Sequence, residues 1–370
     1  MSAYYFVGVM TGTSVDAVDC ALTCISANSF ELLATHSQAI PESLRGRIQS
    51  LFSPSSDEID RLGHVDLELA QLMASSVQAL LRKAGIGADR IRALGCHGQT
   101  VRHRPPTQAD ARGFTLQIGD PNTLAELCKI DVVADFRRRD MALGGQGAPL
   151  VPAFHQSVFS HPETKRCVVN IGGIANISLL YPGEAVRGFD TGPGNALLDA
   201  WIARCTGKAY DDRGEWAAGG AVDPGLLASL HQHPYFARPA PKSTGREEFH
   251  LDWVDNLLAG LDFRPSDRDV QATLAELTAL SIADALHGER LEVFVCGGGA
   301  NNADLLARLR RALPNCTVDS SDKLGIDPQW VEASTFAWLA FRHVNGLSGN
   351  LPQVTGASRA AVLGALYPRP

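Results

Sequence analysis

An α/β fold of two domains built on one plan is predicted by three features of the chain. Strands alternate with helices along most of its length, a strand–glycine turn–strand unit occurs near the N-terminus and again halfway along, and two further glycine turns lead from a strand into a helix. Interleaved strands and helices favour α/β over α+β. Two hairpins and two strand-to-helix turns, spread over both halves, imply a nucleotide held in a cleft between two related domains. The halves share little sequence, so a duplication is expected in structure more than as a repeat.

The apolar run 5–10 predicts a buried first strand, and 17–25 a second. Between them Thr11-Gly12-Thr13-Ser14-Val15-Asp16 forms a turn whose N–H and hydroxyl donors suit phosphate oxygens, although an ordinary hairpin turn would read the same. Asp16 and Asp19 add carboxylates able to hold Mg²⁺ through water, because that ion gives up its hydration shell reluctantly. Residues 31–40 continue the sheet, and helices are predicted at 42–51 and 58–83. A strand at 93–96 runs into His97-Gly98-Gln99-Thr100, placing His97 and Gln99 where α/β folds put ligands. A core histidine is the plain alternative. A strand at 114–118, a short helix at 123–129 and a strand at 131–136 follow. The glycine-rich stretch 144–149 is expected to be the crossover between domains, and a hinge.

In the second half, strands at 168–171 and 177–180 flank the turn Gly172-Gly173-Ile174-Ala175-Asn176. Gly188-Phe189-Asp190-Thr191-Gly192-Pro193-Gly194-Asn195 then reads as a strand end, a glycine turn and a helix start. It delivers a carboxylate beside a turn able to approach a polyanion, with the helix from about 196 aiming its positive end there. A capping role for Asp190 remains the alternative. The last glycine turn, Cys296-Gly297-Gly298-Gly299, follows a strand at 292–295 and opens a helix to about 313. Long helices are expected at 269–286 and 333–343, the latter with Glu332 in its first turn, where the helix dipole alone favours an acid. The tail should return to the first domain. The predicted division is 1–140 with about 347–370, and 141–346.

Other classes fit poorly. There is no G-x-x-x-x-G-K-[ST] loop, and the first loop has only Gly8 and Gly12 toward a dinucleotide fingerprint. With 370 residues, 45% hydrophobic and 20% charged, the chain has the composition of a globular enzyme. A net charge of -7 disfavours a nucleic-acid partner, and no apolar run approaches the roughly 20 residues of a membrane span. The eight cysteines form no C-x-x-C pair, and no basic region precedes the first apolar run. A reducing, cytoplasmic setting without a signal peptide is expected.

The arrangement resembles the actin, Hsp70 and sugar-kinase superfamily, whose domains are ribonuclease H-like and whose late glycine turn lies under adenosine. More specifically, the chain resembles the anhydro-N-acetylmuramic acid kinase family along nearly its whole length. The resemblance is carried by Gly8-Val9-Met10-Thr11-Gly12-Thr13-Ser14-Val15-Asp16, Gly95-Cys96-His97-Gly98-Gln99-Thr100 and the segment from Asp131 to Asp140. It is carried further by Gly144 to Pro152, Asn170-Ile171-Gly172-Gly173, Gly188 to Asn195, Pro241 to Glu247 and Cys296 to Gly299. Ala17 stands where some relatives have Gly, which is harmless unless the position needs a positive φ.

The resemblance implies an ATP- and Mg²⁺-dependent enzyme, expected to be a homodimer. Its substrate would be 1,6-anhydro-N-acetylmuramic acid, with water opening the anhydro bridge at C1 and O6 taking the phosphoryl group in cell-wall recycling. The matching general base is Asp190. Nucleotide contacts fall on Gly12, Thr13, Ser14, Val15, Asp16, Ala17, Val18 and Asp19, on Gly172, Gly173 and Asn176, on Gly192, Gly194 and Asn195, and on Gly297, Gly298 and Gly299, with Asp16 nearest the metal. His97, Gln99 and Glu332 are expected on the sugar side. Arg137 or Arg138 is expected to meet the lactyl carboxylate, since at most two of Arg137, Arg138 and Arg139 face one way on an extended segment. The alternatives are an ordinary hydroxyl-sugar kinase and a nucleotide-driven switch or chaperone on the same fold.

Overall fold

The computed structural model describes residues 3–12, 14–106, 113–240, 242–245 and 248–370. It divides into two units, Met1–Val158 with Trp330–Pro370, and Phe159–Gln329.

In the first unit, β1 (Tyr4–Thr11), β2 (Ala17–Ile25) and β3 (Phe30–Ala39) form an antiparallel meander, and β4 (Ile91–Cys96) lies parallel on the other side of β1. β5 (Gln99–Arg104) and β6 (Phe114–Ile118) make a separate hairpin. β7 (Val132–Ala134) joins β4 in parallel, and the C-terminal strand Ala365–Tyr367 closes that edge antiparallel. Covered on both faces, β1 is apolar at consecutive positions and not at alternate ones: Phe6, Val7 and Val9 are all fully buried. Val7 and Val9 join a core with Leu69, Met73 and Val77. Those three lie at i, i+4 and i+8 of the helix Glu58–Ala84, which stops at left-handed Gly85. Phe6 points the other way and meets the Phe341 ring edge-on at 5.7 Å.

Phe341 belongs to the helix Val331–Val344, which reaches the sheet through a gap left by two glycines. Gly8 of β1 and Gly95 of β4 are register partners. A Cβ on Gly8 would stand 1.8 Å from the Ala333 carbonyl oxygen, and one on Gly95 would stand 1.9 Å from that of Phe336. Neither glycine has a positive φ, so the requirement is for space. Gly95→Ala is therefore expected to force the helix off the sheet and to destabilise by about 3 kcal/mol, the upper range for overpacking. A chemical denaturation midpoint within error of wild type would overturn this.

The second unit repeats the plan. β8 (Arg166–Ile171), β9 (Ile174–Leu180) and β10 (Arg187–Pro193) form the meander, and β11 (Glu292–Cys296) and β12 (Thr317–Ser320) follow in parallel beyond β8. The order β10-β9-β8-β11-β12 has the same connectivity as β3-β2-β1-β4-β7 in the first unit. The duplication expected from the recurring turns is thus present in topology.

Three expectations are corrected. The first unit extends to Val158 and resumes at Trp330, not at 140 and 347, because the helix Val331–Val344 packs on the Gly8–Gly95 groove. The stretch 144–149 is not the crossover between the units, for it lies within the first unit, wrapped on buried Asp140. The Gly147 N–H donates to Asp140 Oδ2 at 2.8 Å, and Asn350 Nδ2 and Thr355 Oγ1 each donate to Oδ1 at 2.7 Å. Finally, residues 131–136 give only the short β7, and Phe136–Ala142 is a helix.

Candidate active site

The first hairpin turn joins β1 to β2. Val15 holds a φ of 55°, a costly conformation for a β-branched residue, and its side chain is fully buried. The strain places Ser14 and Asp16 outward, with Ser14 Oγ donating to Asp16 Oδ1 at 2.6 Å and the Ala17 N–H to the same oxygen at 3.0 Å. Ala17 is absent from the positive-φ residues and starts a regular strand, so the alanine fits. Val18 is buried in the core and Asp19 is half-buried on β2. Thr13 lies outside the described residues.

In the second unit the three glycine segments meet. The Gly194 and Ala196 N–H groups donate to the Gly173 carbonyl at 2.9 and 3.1 Å, and the Asn195 N–H donates to that of Gly172 at 2.8 Å. Asn195 Nδ2 donates to the Ile171 carbonyl at 3.1 Å. The first N–H groups of the helix Asn195–Thr206 therefore clasp the hairpin, where the sequence suggested that they face a polyanion. Gly194, Gly297 and Gly299 are glycines for packing: an added Cβ would stand 2.3 to 2.4 Å from Gly172 O, Asn170 Oδ1 and the Ile171 side chain. Gly12, Gly172 and Gly298 differ. A Cβ there would find nothing closer than 3.6 Å, and none of the three has a positive φ. Nothing in the fold requires glycine at these positions, and bare backbone there fits the close approach of a phosphate or a base.

Asp190 lies inside β10, opposite Asn176 of β9, where the register slips before Gly192. Such a bulge turns a side chain away from its regular direction. Hydrogen bonds from described residues hold Asp190 at the side chain and on both sides of the backbone. Its Oδ2 accepts from the Thr244 N–H at 3.0 Å, its carbonyl accepts from the hydroxyl of fully buried Tyr235 at 2.7 Å, and its own N–H donates to the Lys242 carbonyl at 3.1 Å. Two of these come from the 242–247 segment, to which the sequence assigned no role; its Arg246 and Glu247, with Pro241 before it, lie outside the described residues.

The first unit gathers His97, Gln99, Arg137 and Glu332. His97 follows β4 and is 5% exposed, its ring 4.7 Å from that of Phe336. Burial, and then the Arg137 charge, hold its pKa well below the usual range, so it is neutral. The hydrogen bonds assign the tautomer: Nδ1–H donates to the Gly98 carbonyl at 2.6 Å, and Nε2 accepts from Arg137 Nε and Nη2 at 3.0 and 2.9 Å. Arg137 Nη1 donates to the Gly147 carbonyl at 2.8 Å. Burial brings the guanidinium down to about 10, with Glu332 and Asp140 pulling the other way. Three of the five N–H groups of an arginine are thus directed, and Arg137 keeps part of its surface open. Gln99 is 1% exposed, and its Oε1 has no hydrogen-bond partner among the described residues, an acceptor the protein leaves unsatisfied. Because the arginine run is helical, its side chains diverge. Arg138 lies 3.6 Å from Asp135 and outside this cluster, and Arg139 is exposed. Among the described residues no group of three or more His, Cys, Asp or Glu side chains forms a metal cage. Mg²⁺ bound through one carboxylate and its own waters, at Asp16, is compatible with that.

A 3-2-1-4-5 sheet occurring twice, each time with a glycine hairpin between its first two strands, is the duplicated α/β plan expected of the actin-like fold. The family model described as anhydro-N-acetylmuramic acid kinase matches residues 4–369, and the chain belongs to that family. Relatives of that name include proteins of Shewanella halifaxensis, 53% identical over 100% of both chains, and Shewanella woodyi, 54% identical over the same share. Another, of Saccharophagus degradans, is 51% identical over 99% of this chain and 100% of its own. Among solved structures, component A of the Acidaminococcus fermentans (R)-2-hydroxyglutaryl-CoA dehydratase has a TM-score of 0.47 at 14% identity, covering 90% of this chain and 96% of that one. No helix among the described residues is long and apolar enough to cross a membrane.

Proposed function

We propose that the chain phosphorylates 1,6-anhydro-N-acetylmuramic acid with ATP while opening its anhydro ring, giving N-acetylmuramic acid 6-phosphate and ADP. Family membership supports the substrate and ATP. The observation that carries the mechanism is the Asp190 carboxylate, aimed by a bulge and hydrogen-bonded at Oδ2, four residues before the Gly194 amide that clasps the glycine hairpin.

Water adds to C1 as the C1–O6 bond breaks, its proton passes to Asp190, and O6 takes the γ-phosphoryl group with release of ADP. An ether oxygen is a poor nucleophile, so the two events belong together: charge grows on O6 as C1 becomes oxocarbenium-like, and a carboxylate both activates the water and steadies C1. The backbone at Gly12, Gly172 and Gly298 receives the nucleotide. Asp16 would hold Mg²⁺ through its waters, and that ion, when bound, neutralises charge on the phosphate oxygens. Arg137, presented by His97 and the Gly147 carbonyl, receives the lactyl carboxylate, with Gln99 and Glu332 on the sugar's hydroxyls.

The test is mass analysis of the product formed in ¹⁸O-water. The label is expected at C1 of the phosphorylated sugar and absent from its phosphate. Label in inorganic phosphate with the sugar untouched would mean plain ATP hydrolysis, as in a switch.

A further inference from the structure

We propose that Thr244 and Glu248 form a tether that sets the orientation of the Asp190 carboxylate, making this pair a positioning element of the catalytic centre. The inference rests on the reading of Asp190 as general base. Thr244 is held at both ends. Its N–H reaches Asp190 Oδ2 at 3.0 Å, and its Oγ1–H donates to Glu248 Oε2 at 2.6 Å. Glu248 is itself anchored, with Arg238 Nη2 donating to Oε1. The same segment is fastened beneath: Lys242 Nζ donates to the Tyr235 and Phe236 carbonyls at 3.3 and 3.2 Å and lies 4.7 Å from the Tyr235 ring centre, while Tyr235 holds the Asp190 carbonyl.

A carboxylate on a strand turns about its Cα–Cβ and Cβ–Cγ bonds, and the second is broad and weakly restrained. One fixed N–H donor on Oδ2 removes that freedom and favours the ionised form. The donor is fixed only as far as Thr244 is, and Thr244 sits in a loop without regular structure. Its hydroxyl bond to Glu248 supplies the rigidity that the backbone lacks. Among the described residues, Asp190, Glu248 and Arg238 all act on Tyr235, and Lys242 lies over its ring. Burial, then Asp190 and Glu248, push the tyrosine upward, so it stays a neutral donor.

The experiment compares Thr244→Val, which keeps the shape and loses the hydroxyl, with Thr244→Ser, which keeps the hydroxyl. For Thr244→Val, kcat is expected to fall at least about tenfold, with KM for ATP within about twofold. Because the loosened N–H bond no longer favours the carboxylate, the acid limb of kcat against pH moves to higher pH. Thr244→Ser restores both. Glu248→Ala matches Thr244→Val, and the double variant is no worse than either, since both cut one tether. A Thr244→Val enzyme with wild-type kcat and pH profile would overturn the proposal, as would a serine variant as impaired as the valine. Carbon-13 NMR titration of the Asp190 carboxyl, assigned with Asp190→Asn, reads the tether without substrate. An upward shift in Thr244→Val supports it even for a wild-type protein that fails to phosphorylate the anhydro sugar, a failure that would sink the functional reading alone. An unmoved titration removes the tether.

Discussion

Asp190→Asn is expected to abolish turnover while leaving nucleotide binding intact. The amide oxygen still accepts the Thr244 N–H, and the backbone bonds to Tyr235 and Lys242 do not involve the side chain, so the local structure survives. What disappears is the capacity to take a proton from water near neutral pH. Positioned general-base catalysis is worth about 10² to 10⁴ in rate. The loss here falls at or beyond the upper end, because one carboxylate also steadies positive charge at C1. A residue serving only as a cap would tolerate Asn, which caps about as well as Asp. Single-turnover phosphorylation and calorimetric binding of an ATP analogue decide the matter. Near-wild-type turnover removes Asp190 from the mechanism, and loss of binding as well reassigns it to the nucleotide site.

The second large effect is expected at Arg137. Arg137→Ala should raise KM for the anhydro sugar by about 10² or more, with ATP-analogue affinity within about twofold, since breaking a buried charge pair costs roughly 2 to 5 kcal/mol. Lysine should not rescue it. An ammonium lacks the fork that spans His97 Nε2 and the Gly147 carbonyl while facing a carboxylate. The control is an anhydro sugar without the lactyl acid. Wild type should lose on that sugar what Arg137→Ala loses on the full substrate, and the variant should barely distinguish the two. A variant that still prefers the acid by a large factor would place the carboxylate elsewhere.

Much of this was legible in the residues. The strand–turn–strand units at Gly12 and Gly172 and the long helix over 58–83 were readable because apolar runs and turn residues are local signals. What sequence missed was non-local or exceptional. Residues 131–136 read as one strand because Phe136 is as buried as the valines before it, and left-handed Asp135 breaks the run without a glycine to announce it. That turn makes the arginines helical and separates Arg137 from Arg138. The glycines of 144–149 suggested a flexible crossover, yet Gly145 is small because Asp140 lies against it, with Oδ2 2.2 Å from where a Cβ would stand. Nothing local tells that Thr244, 54 positions beyond Asp190, would hold its carboxylate. Nor could single glycines at 8 and 95 reveal which sheet would receive the helix Val331–Val344.

That groove bears on how the chain is made. The second unit is one uninterrupted stretch, Phe159–Gln329, while the helix that fills the groove on the first comes after it. On the ribosome, the sheet holding Gly8 and Gly95 emerges early and waits with that face uncovered while the whole second unit is translated. At common elongation rates the wait is roughly 10 to 30 s, long against the collapse of a small domain and long enough for a chaperone or a neighbouring nascent chain to find the bare sheet. Asp190 and the glycine turns of its unit can be in place before Glu332 exists. Chains truncated or stalled just after the second unit, before the helix Val331–Val344 is made, should therefore aggregate through the N-terminal half, while the segment with Asp190 stays folded.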